Sequence, residues 1–266
     1  MSVTMAANCS ILLSDLPIPE RLALVRSTGI QAVEFWWPFA TAGPTDEEVQ
    51  EFVEAIDMAG LQLVALNLFA GDMDAGDRGV LSAPGRESEL RASAEIACRI
   101  GQQTGCRVFN VLYGLRLAGV SDVTHDATAV ENLVAVSQEL RPIDGTIVIE
   151  ALSGLPAYPL STAADVGRVL SSARDAGAER VGMLLDVYHL HSNDDDVERV
   201  IDTFREDIVH VQVADAPGRG APGTGDLPID SWLARLSDVG YGGAVGLEFV
   251  AEQESALESL RRMAAR

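Results

Sequence analysis

The chain has 266 residues, 47% of them hydrophobic, and its 19 Lys and Arg face 40 Asp and Glu for a net charge of −21. That length and apolar content suit one large α/β core and argue against disorder. So acidic a surface repels phosphate backbones, which excludes nucleic acid as an expected partner. No apolar run approaches the ~18 residues of a membrane span, which excludes the membrane.

In chain order, AANCSILL (6–13) reads as a strand, and IPERLALVRSTG follows as a helix with Pro19 in its first turn and Gly29 at its end. AVEFWW (32–37) is the second strand. TDEEVQEFVEAIDMAG is the second helix, with Thr45 and Glu48 spaced as a capping box and Gly60 as its stop. LQLVALN (61–67) precedes the long connection LFAGDMDAGDRGVLSAPGRE and then the helix ESELRASAEIACRIGQQTG, ending at Gly105. RVFNVLY (107–113) and TAVENLVAVSQEL form the fourth pair, TIVIEAL (146–152) and STAADVGRVLSSARDAG, with Gly177, the fifth. VGMLLDV (181–187) is followed by DVERVIDTFRED, and IVHVQVA (208–214) by the loop DAPGRGAPGTGDLP and the helix IDSWLARLSDVG, with Gly240. AVGLEFV (244–250) and ESALESLRRMAAR complete the series.

Eight strand-then-helix units without a linker tract predict a (β/α)8 TIM barrel forming a single domain over residues 1–266. The two long glycine-rich connections follow strand C-termini, the face where such barrels place their active sites, and are candidate lids. The opening MSVTMAANCS lacks the basic and apolar regions of an export signal, and Cys9, Cys98 and Cys106 form no CxxC pair. A soluble protein of the reducing cytoplasm, its three thiols acting as small apolar side chains, is the expectation.

Near the ends of the last four strands stand Glu150, Asp186, Gln212 and Glu248. At comparable depth these converge on the barrel axis, and three unpaired carboxylates there would repel one another and be costly to desolvate. One divalent cation resolves this, and oxygen ligands suit Mg²⁺ or Mn²⁺. His189, just past the sixth strand, points into the same mouth; His191 reads as a loop histidine. His210 shares a strand face with Gln212 and is either a support beneath it or a core histidine. Glu34, Asn67 and Asn110 are expected to fix loops by hydrogen bonds. Trp36, Trp37 and Phe39 are either a pocket wall or packing beneath the long loop.

The residues carry a resemblance. AANCSILLSDLPIPER, AVEFWWP, ALNLFAGDMDAGDRG with PGRE, IVIEALS, LLDVYH, HVQVADAPGRGAPGTGD and GYGGAVGLEF together resemble the hydroxypyruvate isomerase family. That family lies within the xylose-isomerase-like barrel superfamily, beside sugar 3-epimerases and abasic-site endonucleases. The similarity runs over nearly the whole chain, and the HVQ to PGTG stretch is its most specific part. It implies that Glu150, Asp186, Gln212 and Glu248 bind one divalent metal, that Glu150 and Glu248 are the acid/base pair, and that His189 and Arg219 contact substrate oxygens. Sugar epimerases usually carry histidine where this chain has Gln212, which favours the hydroxypyruvate isomerase branch. The endonucleases need more histidine ligands than a chain with four histidines and an acidic surface offers.

The implied chemistry is proton transfer next to a carbonyl: a carboxylate takes the α-proton, the metal stabilises the enediolate, and a second carboxylate returns a proton to the neighbouring carbon. Hydroxypyruvate and tartronate semialdehyde are the expected pair. A carboxylate-bearing substrate needs a cationic partner, for which Arg219 is the first candidate and Arg86 the second. The alternatives are an isomerase of a four-carbon 2-oxotetronate, a ketose 3-epimerase, a metal-dependent dehydratase, or a non-catalytic sugar-acid sensor. The sensor is disfavoured because both acid/base glutamates are present. Related barrels often form homo-oligomers, and no residue pattern here marks an interface.

Overall fold

A computed structural model describes residues 3–265. The first half runs β1 (Thr4–Asn8), α1 (Ile18–Ser27), β2 (Ala32–Phe35), α2 (Asp46–Ala59), β3 (Gln62–Asn67), α3 (Glu87–Thr104), β4 (Val108–Asn110) and α4 (Asp122–Leu140). The second runs β5 (Thr146–Ile149), α5 (Ala163–Asp175), β6 (Val181–Asp186), α6 (Val187–Ser192), α7 (Val197–Phe204), β7 (Ile208–Val213), α8 (Ile229–Asp238), β8 (Ala244–Leu247) and α9 (Gln253–Ala264). The strands form a closed barrel in the order β1 to β8, every neighbouring pair parallel, as the alternation of strand and helix patterns predicts.

Strands covered on both faces must be apolar throughout, and β6, VGMLLD, is buried at every position. The helices are one-sided: α2 buries Val49, Phe52, Val53 and Ile56 and leaves its acidic residues in water. Its start is the expected capping box, with Thr45 accepting from the Glu48 amide and Glu48 accepting from the Thr45 amide. Gly29, Gly60, Gly105, Gly177 and Gly240 all take positive φ where a helix hands over to the next strand, so a side chain at any of them would be strained. Among the described residues no helix is long and apolar enough to cross a membrane.

Register fixes what meets at the active rim. Asn8 pairs with Glu34, Asn67 with Asn110, and Asp186 with Gln212, so the polar strand ends lie at one level around the mouth. Seven of the eight strands stop earlier than their apolar runs suggest; β4 ends at Asn110 rather than 113, and β8 at Leu247 rather than 250. The residues beyond each stop are apolar because they pack under the connecting loops: Tyr113 and Phe249 are fully buried outside the ladder. The short α6 was not legible, since VYHLHS continues the strand pattern. It forms because Asp186 caps it, with Oδ1 accepting from the His189 amide at 3.0 Å.

Candidate active site

The mouth of the barrel is a cavity of about 440 Å³, lined by Glu150, His189, Arg219 and Glu248 at or after strands β5 to β8 and by Trp36, Asn67 and Arg78 at or after β2 and β3. Glu150 and Glu248 each stand one residue past the end of their strand, and Asp186 is the last residue of β6. All three carboxylates are buried.

Arg219 joins them. Its Nη2 donates to Glu248 Oε1 at 2.6 Å and reaches Asp186 Oδ2 at 3.5 Å, while Nε donates to the Glu248 carbonyl at 3.3 Å. The arginine is placed by the loop after β7, which folds around one side chain: Asp215 accepts from the amides of Ala216 and Leu227 on Oδ1 and of Gly223 on Oδ2. Asp215 and Gly220 also exchange backbone hydrogen bonds, and Arg219 sits in that tight turn at φ +57°. Its guanidinium lies 5.5 Å above the Tyr188 ring. Burial works against the guanidinium's charge, but Glu248, Asp186 and Glu150 more than offset it and raise its pKa.

Among the described residues Glu150 has one side-chain donor, Asn110 Nδ2 at 2.6 Å. Burial, then the nearby Asp186 carboxylate, pushes its carboxyl up to about 8. Burial likewise raises Glu248 well above the ordinary range, with Arg219 pulling the other way. His189 is held low by burial, against the pull of Asp186. Its Nδ1 accepts the Ser153 amide at 3.1 Å, so the neutral ring carries its proton on Nε2, 3.8 Å from Asp186 Oδ2.

Beneath this layer lies a network centred on Glu34. Its Oε1 accepts from Asn8 at 2.9 Å and Gln212 at 2.7 Å, and its Oε2 pairs with His210 Nε2 at 2.5 Å. Asn8 donates at 3.1 Å to Glu248 Oε2 as well. Gly246 makes room for this, because a Cβ there would lie 2.4 Å from both Glu34 oxygens. His210 is thus bound under the site, the first of the two roles open to it.

The donor set fits a cation. Glu150 and Asp186 offer buried carboxylate oxygens, with a ring nitrogen of His189 beside them, all within 4.8 Å of one another. The three buried carboxylates exceed the one guanidinium among them by two negative charges, which a single divalent ion balances. Gln212, its amide nitrogen committed to Glu34, has a carbonyl oxygen to offer.

A family model described as xylose isomerase-like TIM barrel matches residues 22–266. The chain belongs to this family. Within it, the chain is 42% identical to a putative hydroxypyruvate isomerase of Streptomyces coelicolor over 91% of this chain and 88% of that one. It is 30% identical to the hydroxypyruvate isomerase of Escherichia coli over 92% of each. A 2-oxo-tetronate isomerase of Haemophilus influenzae is 28% identical over the same shares. Among solved structures, an AP endonuclease, family 2, from Brucella melitensis superposes with a TM-score of 0.86 at 28% identity, covering 96% of both chains. This member of the xylose isomerase-like family is an enzyme, an isomerase of the hydroxypyruvate isomerase kind.

Six of the seven residues singled out in the sequence come together here: Glu150, Asp186, His189, Gln212, Arg219 and Glu248. Arg86 does not join them; its guanidinium is bound to Asp77 at 2.7 Å and Glu89 at 2.6 Å, and it is not among the cavity's lining residues. Of the aromatic trio, Trp36 lines the cavity, whereas Trp37 and Phe39 pack edge-on to each other and Phe39 onto Phe52. His191 lies by Trp232. Asn8 and Arg78 were not singled out. A polar residue inside an apolar strand run and an arginine between Asp77 and Gly79 in a loop beside the mouth were the available signals.

Proposed function

We propose that this chain interconverts hydroxypyruvate and tartronate semialdehyde, with one divalent cation, Mg²⁺ or Mn²⁺, held by Glu150, Asp186, Gln212 and Glu248. The observation that carries the reading is the pair of buried glutamates, Glu150 and Glu248, lining one small cavity. Burial raises both carboxyls in the cation-free protein, which favours a proton acceptor over a permanently ionised group, and a bound cation would draw them back down. The relatives' names supply the substrate class.

In this reading one glutamate takes the proton from the carbon bearing the substrate's hydroxyl, and the other delivers a proton to the neighbouring carbon. The bound cation would supply positive charge where the carbonyl oxygen becomes negative. His189, with its proton on Nε2, donates to a substrate oxygen rather than ligating, because ligation through Nε2 would move the proton to Nδ1, against the Ser153 amide. Arg219 keeps Glu248 and Asp186 from repelling each other.

A second reading, a four-carbon 2-oxotetronate as substrate, is favoured by the Haemophilus influenzae relative and needs only a different fit in the same cavity. Proton NMR in D₂O tests both. With Mg²⁺ or Mn²⁺ supplied, deuterium should enter the carbon next to the carbonyl of one or both acids, above a control without protein, and not enter a ketohexose. No exchange with any of them, while the cation still binds, would sink the isomerase reading. An ultraviolet-absorbing unsaturated product would point to a dehydratase instead.

A further inference from the structure

The cavity is lined by two arginines, one on the loop after β3 and one on the loop after β7, strands that stand four places apart in the closed ring of eight, and they differ in what they have left to give. Arg219 is spent on Glu248, Asp186 and a backbone carbonyl. Arg78 carries no ion pair among the described residues. Its Nη1 alone is engaged, donating to the carbonyls of Met73 at 2.9 Å and Asp77 at 2.6 Å. That leaves Nε and Nη2, the edge of the guanidinium that meets a carboxylate in two parallel hydrogen bonds.

The loop holding Arg78 is built to keep it in place. Asp77 Oδ2 accepts from the Asp72 amide at 2.9 Å and from Arg86 at 2.7 Å, so the arginine expected to touch substrate instead ties the loop's turn. On the other side Gly79 donates to Ala70 at 2.8 Å and bridges to Tyr113. It lies so close that a Cβ there would be 2.1 Å from the Leu112 carbonyl oxygen. Arg78 is clamped between these two anchors and half-buried. Asp74, exposed on the same loop, makes no ion pair with it.

We propose that Arg78 is the specificity-determining residue that binds the substrate's carboxylate, across the cavity from the carboxylates that handle its protons. This rests on the oxo-acid isomerase reading above. An anion facing Glu150, Asp186 and Glu248 directly would be repelled; one held at the far wall by an unpaired guanidinium is not. The site therefore selects short 2-oxo and 2-hydroxy acids over neutral ketoses of the same length.

The test compares hydroxypyruvate with dihydroxyacetone, which replaces the carboxylate by a neutral hydroxymethyl group and keeps the exchangeable carbon. Arg78→Met should raise KM for hydroxypyruvate about 10- to 100-fold, the range expected for a lost hydrogen-bonded charge contact, with kcat within a few-fold of the parent protein. Its exchange of dihydroxyacetone should be unchanged, and Arg78→Lys should recover part of the loss, since lysine restores the charge without the fork. An unchanged KM in Arg78→Met overturns the proposal. So does an equal loss on the acid and the neutral compound, which would mean that Arg78 only holds the loop. If the parent protein exchanges the acid alone, the KM shift decides. If it exchanges neither compound, the isomerase reading itself has failed and the role of Arg78 falls with it.

Discussion

Glu34 and Glu150 are both buried glutamates near strand ends at the barrel mouth, yet the protein treats them in opposite ways. Glu34 has three side-chain partners, from Asn8, His210 and Gln212, spread over both oxygens. Glu150 has Asn110 alone, and its carboxyl climbs to about 8. A carboxylate whose acceptor sites are filled by protein donors is a fixed part of the structure; one left with spare capacity in a cavity is available for a proton or a cation. Bonding saturation, rather than burial, separates the two glutamates.

The sharpest break of this comparison is to neutralise each glutamate in turn. Glu150→Gln and Glu248→Gln should each lower kcat with hydroxypyruvate by about 10²- to 10⁴-fold, the usual worth of a positioned acid or base, and keep the melting temperature near that of the parent. Near-native turnover in either folded variant would remove it from the acid/base pair. Glu34→Ala should act on stability instead. It strands the donors of Asn8, His210 and Gln212 in a buried site, at a cost of about 3 kcal/mol by urea denaturation. Gly246→Ala reaches the same network from the other side and should cost about 1–3 kcal/mol, because its Cβ would overlap the Glu34 oxygens. If Gly246→Ala unfolds at the parent midpoint, the packing around Glu34 is looser than these distances imply.

The fold was legible because eight apolar runs and recurrent glycine stops repeat one local instruction. The buried acids of the mouth were legible for a related reason: a carboxylate closing an apolar strand contradicts its surroundings, and Glu150, Asp186 and Glu248 all do so. Glu34 does so too, and nothing local distinguishes it from them. Its fate depends on His210 and Gln212, which lie 176 and 178 residues further along the chain. The two arginines in the loop after β3 show the same limit. Arg86 and Arg78 are both flanked by turn residues, and only the closure of Asp77 onto Arg86 decides which one is tied and which one faces the cavity.

The difference between the two glutamates should also appear in the pH dependence of the cation-free protein. A carboxyl raised from 4.5 to about 8 on folding means that the folded state holds a proton which the unfolded chain has released across that window. Stability therefore falls as pH rises from about 5 to 8, by on the order of 3–4 kcal/mol from this group; Glu248, shifted the same way, adds to the fall, and His189, held low, opposes it at the acid end. Carboxyls shifted the opposite way, such as Asp215, whose backbone N–H bonds outweigh its burial, act below the ordinary carboxylate range and leave this window alone. With EDTA the melting temperature should decline over that span, and saturating Mn²⁺ should flatten the decline, because the ion takes the place of the proton. A flat profile in EDTA would mean that Glu150 is ionised without help, and its role as base would need another explanation.

The finest adjustment is the single hydrogen bond from Asn110. Its donation stabilises the charged form of Glu150, opposing the burial that raises the carboxyl. Asn110 Oδ1, buried and without a protein partner, contributes nothing that would tie the amide elsewhere. Asn110→Ala should therefore raise Glu150 further and move the limb of kcat/KM that rises with its ionisation about one pH unit to the alkaline side, as expected for a hydrogen bond to a charged group. At a pH well above that limb the variant should approach parent activity, which a variant with a collapsed site would not do. A limb that stays in place would show that the cation, rather than the amide, sets the basicity of Glu150, and the contrast with Glu34 would then rest on metal binding alone.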